Sequence, residues 1–260
     1  MGILRLIMYF CSCNEYNPIV MKQRILFVLL IILCSASSLE AQKFTVSGSI
    51  EAHTAYLWRG SKECGAQVSP CLNFQYGNLM LQSYGFLSFD GTYKEIDWDL
   101  SYKIGDFTIH LADYYARLSS YTTPENYFNF KKGETNHIQE VILCYEPQKL
   151  PFAIRWFTFV HGDWLRDAEG NLGRPSFSSY LEPEVYHQFS PNSKLSLLCG
   201  ASVFKGNYTG YTKDFAVIHL ELRYRHSLTF EKFSIPLQIS YVINPYTKRS
   251  WLDAGVGFEF

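Results

Sequence analysis

Histidine and serine are the residue types of this chain that could pair as a base and a nucleophile. On a β-strand, two side chains share a face only when they are two residues apart, because successive side chains point to opposite faces. None of the seven histidines is followed two residues later by serine, and His226 and Ser227 are adjacent, so they fall on opposite faces. The histidines with no nucleophile partner in the sequence are His53, His110, His137, His161, His187 and His219. We therefore expect no enzyme, although residues distant in the sequence could still converge.

Cysteines and acidic residues are the other candidates for chemistry. Cys64 and Cys71 lie in or beside one loop and could form a disulfide, whereas Cys144 and Cys199 fall within strand patterns and are expected to be buried or lipid-facing thiols. A zinc site needs tight pairs of cysteine or histidine, and none occurs between residues 42 and 260. The loop 161–178 is rich in oxygen ligands for calcium but lacks the EF-hand order. The sequence predicts neither a metal nor a cofactor.

Charged and apolar residues alternate in several segments, which places the charge on one face of a strand. The alternation is unbroken from 95 to 104 and from 218 to 225. Charge facing lipid at mid-bilayer would cost about 2 to 4 kcal/mol for each Arg or Lys, so the charged face must point into a barrel. The residues predicted to line this lumen, and to form a solute path, are Arg59, Glu95, Asp97, Asp99, Arg155, Glu182, Glu184, His219, Glu221, Arg223, Arg225 and Asp253.

Twelve segments with strand character must position these side chains. They span 44–59, 69–77, 79–90, 94–104, 107–117, 136–146, 151–161, 179–189, 193–204, 215–229, 232–243 and 250–260. Five short turns alternate with six mostly longer loops along the chain. An even-numbered barrel whose two chain termini both lie in the periplasm requires this alternation. The segments 79–90 and 136–146 alternate less cleanly, and a β-bulge could be present in either. The pattern predicts an all-β, transmembrane, antiparallel up-and-down barrel of about twelve strands.

The last segment has an apolar face that includes Phe258 and Phe260. Strands of this type that finish on phenylalanine resemble the closing strand of bacterial outer-membrane β-barrels, in which that residue belongs to the insertion signal. The resemblance implies that Phe258 and Phe260 act as an assembly signal. It also implies two partners, the barrel-assembly machinery and the lipids of the outer membrane.

The N-terminal region agrees with export. Met21, Lys22 and Arg24 precede an apolar run from 25 to 33 and a small, polar stretch up to Ala41, which is the layout of a secretory signal peptide. We expect Met21 to be the true start, residues 1–20 to be an upstream extension, and cleavage after Ala41 to leave one barrel domain, residues 42–260. The expected location is the outer membrane of a Gram-negative bacterium.

Composition excludes two further classes of protein. Aromatic residues make up 17% of the chain, yet residues 42–260 contain no segment long and apolar enough for a membrane helix. The formal net charge is −1, which gives no signal for nucleic acid as a partner. A soluble β-sandwich or lipocalin-like barrel stays open as an alternative, but it would have to pack a very large aromatic core.

The first half of the chain also resembles a known family. Tyr56-Leu57-Trp58-Arg59-Gly60, then Pro70, Ser83-Tyr84-Gly85 and Glu95-Ile96-Asp97 followed by Tyr102, are similar to a family of small outer-membrane porins of unassigned substrate, the TorF-like or Gcw_chp-like proteins. The likeness covers about residues 50–115. It departs at Lys62, Glu63 and Cys64, and at Tyr84, where tryptophan is expected. The resemblance implies a passive channel with Arg59 at the rim or in the lumen; alternatively, Arg59 pairs with a neighbouring carboxylate.

These observations predict a porin or narrow channel for small polar or zwitterionic solutes. The fourth and tenth of twelve strands face each other across a closed barrel, so the acids Glu95, Asp97 and Asp99 would oppose Arg223 and Arg225. Two alternatives stay open. One is a closed structural or adhesive barrel, and the other is an outer-membrane lipid hydrolase, which would need a serine and a histidine together on the lipid face.

Overall fold

The chain folds into β-strands joined by turns and loops. The computed structural model describes residues 43–118 and 126–260, so the predicted presequence and its cleavage after Ala41 lie outside the described residues. The described strands are β1 (Phe44–His53), β2 (Tyr56–Trp58), β3 (Ser61–Cys64), β4 (Gln67–Tyr76), β5 (Leu79–Ser88), β6 (Tyr93–Ile104), β7 (Phe107–Leu118), β8 (His137–Tyr145), β9 (Phe152–His161), β10 (Trp164–Arg166), β11 (Leu172–Pro175), β12 (Ser179–Ser190), β13 (Ser193–Ser202), β14 (Ala216–Thr229), β15 (Ser234–Asn244) and β16 (Arg249–Glu259). A 3-10 helix, η1, covers Asn207–Thr209.

Twelve of these strands form a closed antiparallel barrel in which each strand pairs with the next barrel strand along the chain. The hairpins β2–β3 and β10–β11 are separate two-stranded sheets in the connections. The predicted all-β up-and-down barrel of about twelve strands is therefore confirmed. Eleven of the twelve predicted segments match a barrel strand to within two residues at each end.

The first strand is shorter than predicted. It ends at His53 rather than continuing to residue 59. The backbone N–H of Thr54 still donates to the backbone oxygen of Ala254 on β16 at 3.0 Å. The next N–H, that of Ala55, donates instead to the Asp253 side chain, also at 3.0 Å, so backbone pairing ends and the chain leaves the wall. The residues that follow form the β2–β3 hairpin instead of lengthening β1.

The barrel closes where β1 pairs with β16. Gly48 and Phe260 exchange backbone hydrogen bonds of 3.0 and 2.9 Å. A Cβ atom on Gly48 would lie 2.8 Å from the Phe260 ring, so the absence of a side chain at 48 lets this ring lie over the seam. Phe258 stacks on Phe233, with ring centroids 5.1 Å apart.

The outer face of the barrel is apolar. Ile96 on β6, Leu222 on β14 and Leu252 on β16 are 48%, 49% and 64% exposed, although each alternates with polar residues whose side chains point inward. A contiguous exposed apolar surface of this kind is stable against lipid rather than water. The barrel strands therefore form a membrane-spanning wall.

The search for membrane helices among residues 43–118 and 126–260 found none that is both long and apolar enough to cross a bilayer.

The two ends of the barrel differ. One end, the turn end, carries the short connections and lies beside Phe44 and Glu259. The other, the loop end, carries the connections 54–66, 89–92, 162–178, 203–215 and 245–248, together with the described residues 126–136. The pairing of β8 with β9 shifts register between Gln139 and Glu140, and the extra residue, Val160, lies on β9 rather than in the segment 136–146. The segment 79–90, for which a bulge is also predicted, shows no register shift with either neighbour, so that prediction is wrong.

Candidate functional site: a lumen with an internal hairpin

The β2–β3 hairpin lies inside the barrel. Its residues from Ala55 to Arg59 line a lumen cavity together with inward side chains of β1, β4, β5, β14 and β16. The carbonyl of Gly60 accepts a 2.9 Å hydrogen bond from Asn244 Nδ2 on β15, while the Arg59 side chain reaches Glu140 on β8. The hairpin therefore extends between walls on different sides of the ring.

The hairpin turns at Arg59 and Gly60, whose φ angles are 47° and 75°. Two consecutive positive φ values are typical of the two-residue turn that joins closely paired strands. A Cβ atom on Gly60 would lie 1.9 Å from Ile218 O of β14. Only glycine allows this turn to lie against the barrel wall.

Arg59 forms a buried ion pair with Glu140. The guanidinium donates from Nη1 to Glu140 Oε1 at 2.7 Å and from Nη2 to Glu140 Oε2 at 2.6 Å, and it also donates to the Tyr208 hydroxyl. Tyr114 donates to Glu140 Oε2 at 2.8 Å. Arg59 is 8% exposed and Glu140 is 1% exposed, so both charges depend on each other for compensation.

Aromatic rings enclose the Arg59 guanidinium on its other sides. The ring centroids of Phe157, Trp58 and Tyr180 lie 4.1, 4.5 and 5.1 Å from its central carbon. A cation over aromatic faces is attracted by their quadrupoles, and more strongly when water is excluded. Burial also raises the pKa of the Tyr208 hydroxyl, which keeps it neutral as a partner for Arg59. The ion pair and the rings together fix the hairpin across the lumen.

Both interpretations of Arg59 from the sequence hold in part. Its side chain lies in the lumen, as the family resemblance implies, and it pairs with a carboxylate, as the alternative states. The carboxylate is not a neighbour in sequence, since Glu140 is 81 residues away.

The hairpin separates open space on its two sides. A cavity of about 600 Å³ lies below it and is lined by residues of β1, β4, β5 and β14 to β16. A second cavity of about 410 Å³ continues toward the turn end and shares Gln82, Tyr84 and Phe157 with the first. A third, of about 400 Å³, lies toward the loop end and is lined by Glu63, Tyr93 and Glu95 among others. The hairpin residues Tyr56, Trp58 and Arg59 line both the first and the third.

Ion pairs cover the base-rich side of the lumen. Arg223 donates to Glu221 from Nε at 2.7 Å and from Nη2 at 2.6 Å. Arg225 donates to Glu51 at 3.0 Å and to Glu259 at 2.8 Å. His219 lies 3.2 Å from Glu221. Each predicted lumen arginine of β14 therefore has its own carboxylate.

Two further charged groups line the same lumen. Arg155 of β9 donates to Glu182 at 3.1 Å and to Glu184 at 2.8 Å, both on the neighbouring β12. His53 lies between two carboxylates, with Nδ1 2.7 Å from Asp253 Oδ2 and Nε2 3.2 Å from Glu51 Oε2. The sequence assigned these charged residues only to the lumen face of the barrel. The structure shows which of them are in contact.

The predicted acids of β6 are separated in height. Glu95 accepts a 2.6 Å hydrogen bond from Tyr93 near the loop end, and Asp99 lies 2.9 Å from His110 Nδ1 in the turn-end half. Between them, Asp97 is 5% exposed, and its Oδ1 atom has no hydrogen-bond partner among the described residues.

The predicted opposition of acid and base across the lumen needs correction. The fourth and tenth barrel strands, β6 and β14, are six positions apart in the ring of twelve, as expected. The wall at β14 is not basic, however, because Glu221 neutralises Arg223 on the same strand, and Glu51 and Glu259 neutralise Arg225. The charge is compensated locally rather than separated across the lumen.

The predicted disulfide is absent from the structure, in which Cys64 and Cys71 are both free. Cys64 ends β3, whereas Cys71 lies four residues into the extended strand β4, which begins at Gln67. At about 3.3 Å per residue, β4 carries Cys71 about 13 Å from its start, and a disulfide needs Cα atoms within about 7 Å. Burial raises the pKa of the Cys64 thiol.

Several residues of the site could not be identified from the sequence. Glu140 lies in a segment whose polar and apolar residues alternate irregularly, and Tyr208 lies in a loop, so strand alternation could not assign either to the lumen. Asp163 of the loop 162–178 accepts hydrogen bonds from the hydroxyls of Ser176, Ser178 and Tyr211. These contacts join two loops at the loop end.

A serine and a histidine do converge from different strands. Ser193 Oγ of β13 lies 2.7 Å from His226 Nδ1 of β14, near the turn end. A catalytic base also needs a third group that orients it. Among the residues that the structure describes, no carboxylate contacts His226, so this pair alone does not make a hydrolase site.

Comparison with known proteins finds similar solved structures. No family model matches the chain, so the TorF-like or Gcw_chp-like resemblance is not confirmed, and no curated protein matches. The chain is similar to a solved "KdgM porin", with 10% identity, a TM-score of 0.47, and coverage of 82% of this chain and 98% of that one. It is similar to the NanC porin, with 11% identity, a TM-score of 0.47, and coverage of 83% and 99%. It is also similar to the COG4313 outer membrane channel from Pseudomonas putida F1, with 11% identity, a TM-score of 0.43, and coverage of 86% and 98%.

Proposed function

We propose that the protein is a narrow channel of the bacterial outer membrane, through which small polar solutes diffuse passively. Outer-membrane lipids surround the wall, and the barrel-assembly machinery inserts it. No catalytic step is required of any residue. Solutes pass from the loop end to the turn end, and the β2–β3 hairpin is the narrowest point of their path.

One observation carries the proposal: a polar, cavity-bearing lumen runs through a barrel with an apolar outer face. The cavities of about 600 and 410 Å³ are adjacent, since Gln82, Tyr84 and Phe157 line both, and the second lies on the turn-end side of the first. A barrel that served only as a structural element would gain stability by filling this space with side chains. Polar cavities of this size instead hold water and small solutes.

The closed structural barrel is the second candidate, and the Arg59–Glu140 pair is the observation that favours it. This pair and the surrounding rings hold the hairpin inside the lumen. If the hairpin never moves and leaves no gap beside it, solutes do not pass.

Liposome swelling distinguishes the two candidates. The refolded chain is reconstituted into liposomes and diluted into isotonic solutions of glycine, glucose or a large dextran. A channel lets glycine and glucose in, so the liposomes swell, while dextran causes no swelling. Liposomes that contain the folded protein but swell no faster than empty ones would establish the closed barrel.

A further inference from the structure

We propose that the cavity below the hairpin is a binding site for a neutral saccharide. The proposal names the solute class of the proposed channel, and the binding itself does not require the channel to conduct. It rests on three properties of the cavity: the pairing of its charges, its uncharged polar groups and its aromatic rings.

The carboxylates that line the cavity are all paired. Glu51 and Asp253 both contact His53, Glu221 forms an ion pair with Arg223, and Glu182 forms an ion pair with Arg155. A charged solute would lose its hydration in the cavity without meeting an uncompensated charge of opposite sign.

The two arginines of the lining are paired as well. Arg59 is held by Glu140 and Arg223 by Glu221, each through two hydrogen bonds of 2.6 to 2.7 Å. An anion would have to break one of these bidentate pairs to reach a guanidinium. The lining therefore disfavours solutes of either sign and leaves neutral ones.

Uncharged polar side chains also line the cavity. They come from β15, β1, β4 and β5 and include Ser49, Ser69, Asn73, Gln82, Gln238 and Ser240. The charged residues Glu51, His53 and Asp253 lie between the polar groups of β15 and those of β4 and β5. Gln82 Nε2 donates to Asn73 Oδ1 at 2.6 Å, so these two amides have defined orientations. Amides and hydroxyls both donate and accept, which suits the hydroxyl groups of a sugar.

Aromatic rings complete the site. Tyr56, Trp58, Tyr84, Phe86 and Phe157 line the same cavity. Tyr56 stacks on Phe86 with ring centroids 4.2 Å apart, which makes a rigid platform. The C–H face of a pyranose ring is apolar, and its edge carries the hydroxyls. Rings and amides are neighbours in this cavity, since the Tyr84 hydroxyl donates to Gln82 Oε1 at 2.6 Å, and together they match both parts of the sugar.

The size of the cavity agrees with this class of ligand. Its volume of about 600 Å³ falls within the range of about 300 to 1,000 Å³ that small-molecule sites occupy. Such sites are lined by aromatic groups with a few placed polar groups.

Three sugars of one ring size test whether the cavity prefers a neutral sugar to a charged one. Glucose, glucuronate and glucosamine are titrated separately into the folded full-length chain in detergent micelles, and binding is measured by calorimetry. The proposal expects glucose to bind at least tenfold more tightly than either charged sugar. Equal binding of all three, tighter binding of a charged sugar, or no binding of any would overturn it.

Variants locate the site. Asn73→Ala combined with Gln82→Ala should weaken glucose binding at least fivefold, and Gln238→Ala should weaken it independently. Gln75→Ala is the matched control, because Gln75 lies on β4 beside Asn73 but outside this cavity. Glucose affinity that is unchanged in the two cavity variants, or equally weakened in the control, would show that glucose binds elsewhere.

The saccharide site and the channel can fail separately. A chain that swells liposomes but does not bind glucose would retain the proposed function and lose this inference. A chain that binds glucose with the expected variant pattern but does not swell liposomes would retain the site in a closed barrel.

Discussion

Arg59 and Glu140 are joined by two hydrogen bonds of 2.7 and 2.6 Å across the interior of the barrel. The first belongs to a hairpin that leaves the wall after β1, and the second lies on β8, five strands away around the ring. This relationship holds the hairpin inside the barrel.

Breaking the Arg59–Glu140 pair from one side should destabilise the folded chain. Glu140→Leu leaves a buried guanidinium uncompensated and Arg59→Leu leaves a buried carboxylate uncompensated, and each costs about 3 to 5 kcal/mol. Arg59→Leu with Glu140→Leu removes both charges and should recover much of that loss. Urea unfolding in detergent, followed by tryptophan fluorescence, measures the free energies of unfolding of the parent, the two single variants and the double variant. If the double variant is destabilised by the sum of the two single losses, the residues are not coupled.

Gly60 should be intolerant of a side chain. Its φ is 75°, and a Cβ atom added there would lie 1.9 Å from Ile218 O, so Gly60→Ala must move the turn from the wall. We expect a loss of more than about 1 kcal/mol and faster trypsin cleavage at Lys62. Gly65→Ala is the control, because a Cβ there meets nothing within 4 Å. Similar cleavage rates for both variants would contradict the described contact.

The free cysteines should differ in reactivity. Cys71 lines the lumen cavity and is partly exposed, whereas Cys64 is 7% exposed. A small neutral thiol reagent such as iodoacetamide should therefore modify Cys71 at least tenfold faster than Cys64. Mass spectrometry of tryptic peptides measures both rates. A peptide in which the two cysteines are joined would restore the disulfide that the sequence suggested.

Glu63 of the hairpin should make stability depend on pH. Burial raises its pKa above the ordinary 4.5. Between pH 4.5 and that raised value, the folded chain binds more protons than the unfolded chain. The contribution of Glu63 to the free energy of unfolding therefore falls as pH rises through this window.

Glu63→Gln removes this titration. We expect the variant to be more stable than the parent at pH 7.5 and to differ less at pH 4.5. Melting temperatures of both proteins at the two pH values provide the test. A difference of the same size at both would exclude Glu63 as the titrating group.

The barrel itself could be predicted from the sequence because each strand is specified locally. In β6, acids at 95, 97 and 99 alternate with apolar residues, and this period of two alone places the strand and its lumen face. The expected boundaries 94–104 differ from the observed Tyr93–Ile104 by one residue.

The internal hairpin could not be predicted because non-local contacts decide it. Tyr56-Leu57-Trp58 forms strand as readily as the residues before it, so the local pattern predicts a first strand that continues to residue 59. The departure from the wall depends on Asp253, Glu140 and Ile218, which lie far away in the sequence. The pairing of Arg225 with Glu51, 174 residues apart, could not be predicted for the same reason.

Single-channel current across a planar bilayer tests most directly whether Arg59 and Glu140 set the width of a conducting lumen. The parent chain and Glu140→Gln are compared at equal protein density in 1 M KCl, after both have been verified as folded barrels. We expect a small, steady conductance for the parent and a conductance at least twofold larger for the variant, because the hairpin loses its anchor. No current from either protein, or equal currents from both, would contradict a lumen whose width is set by this pair.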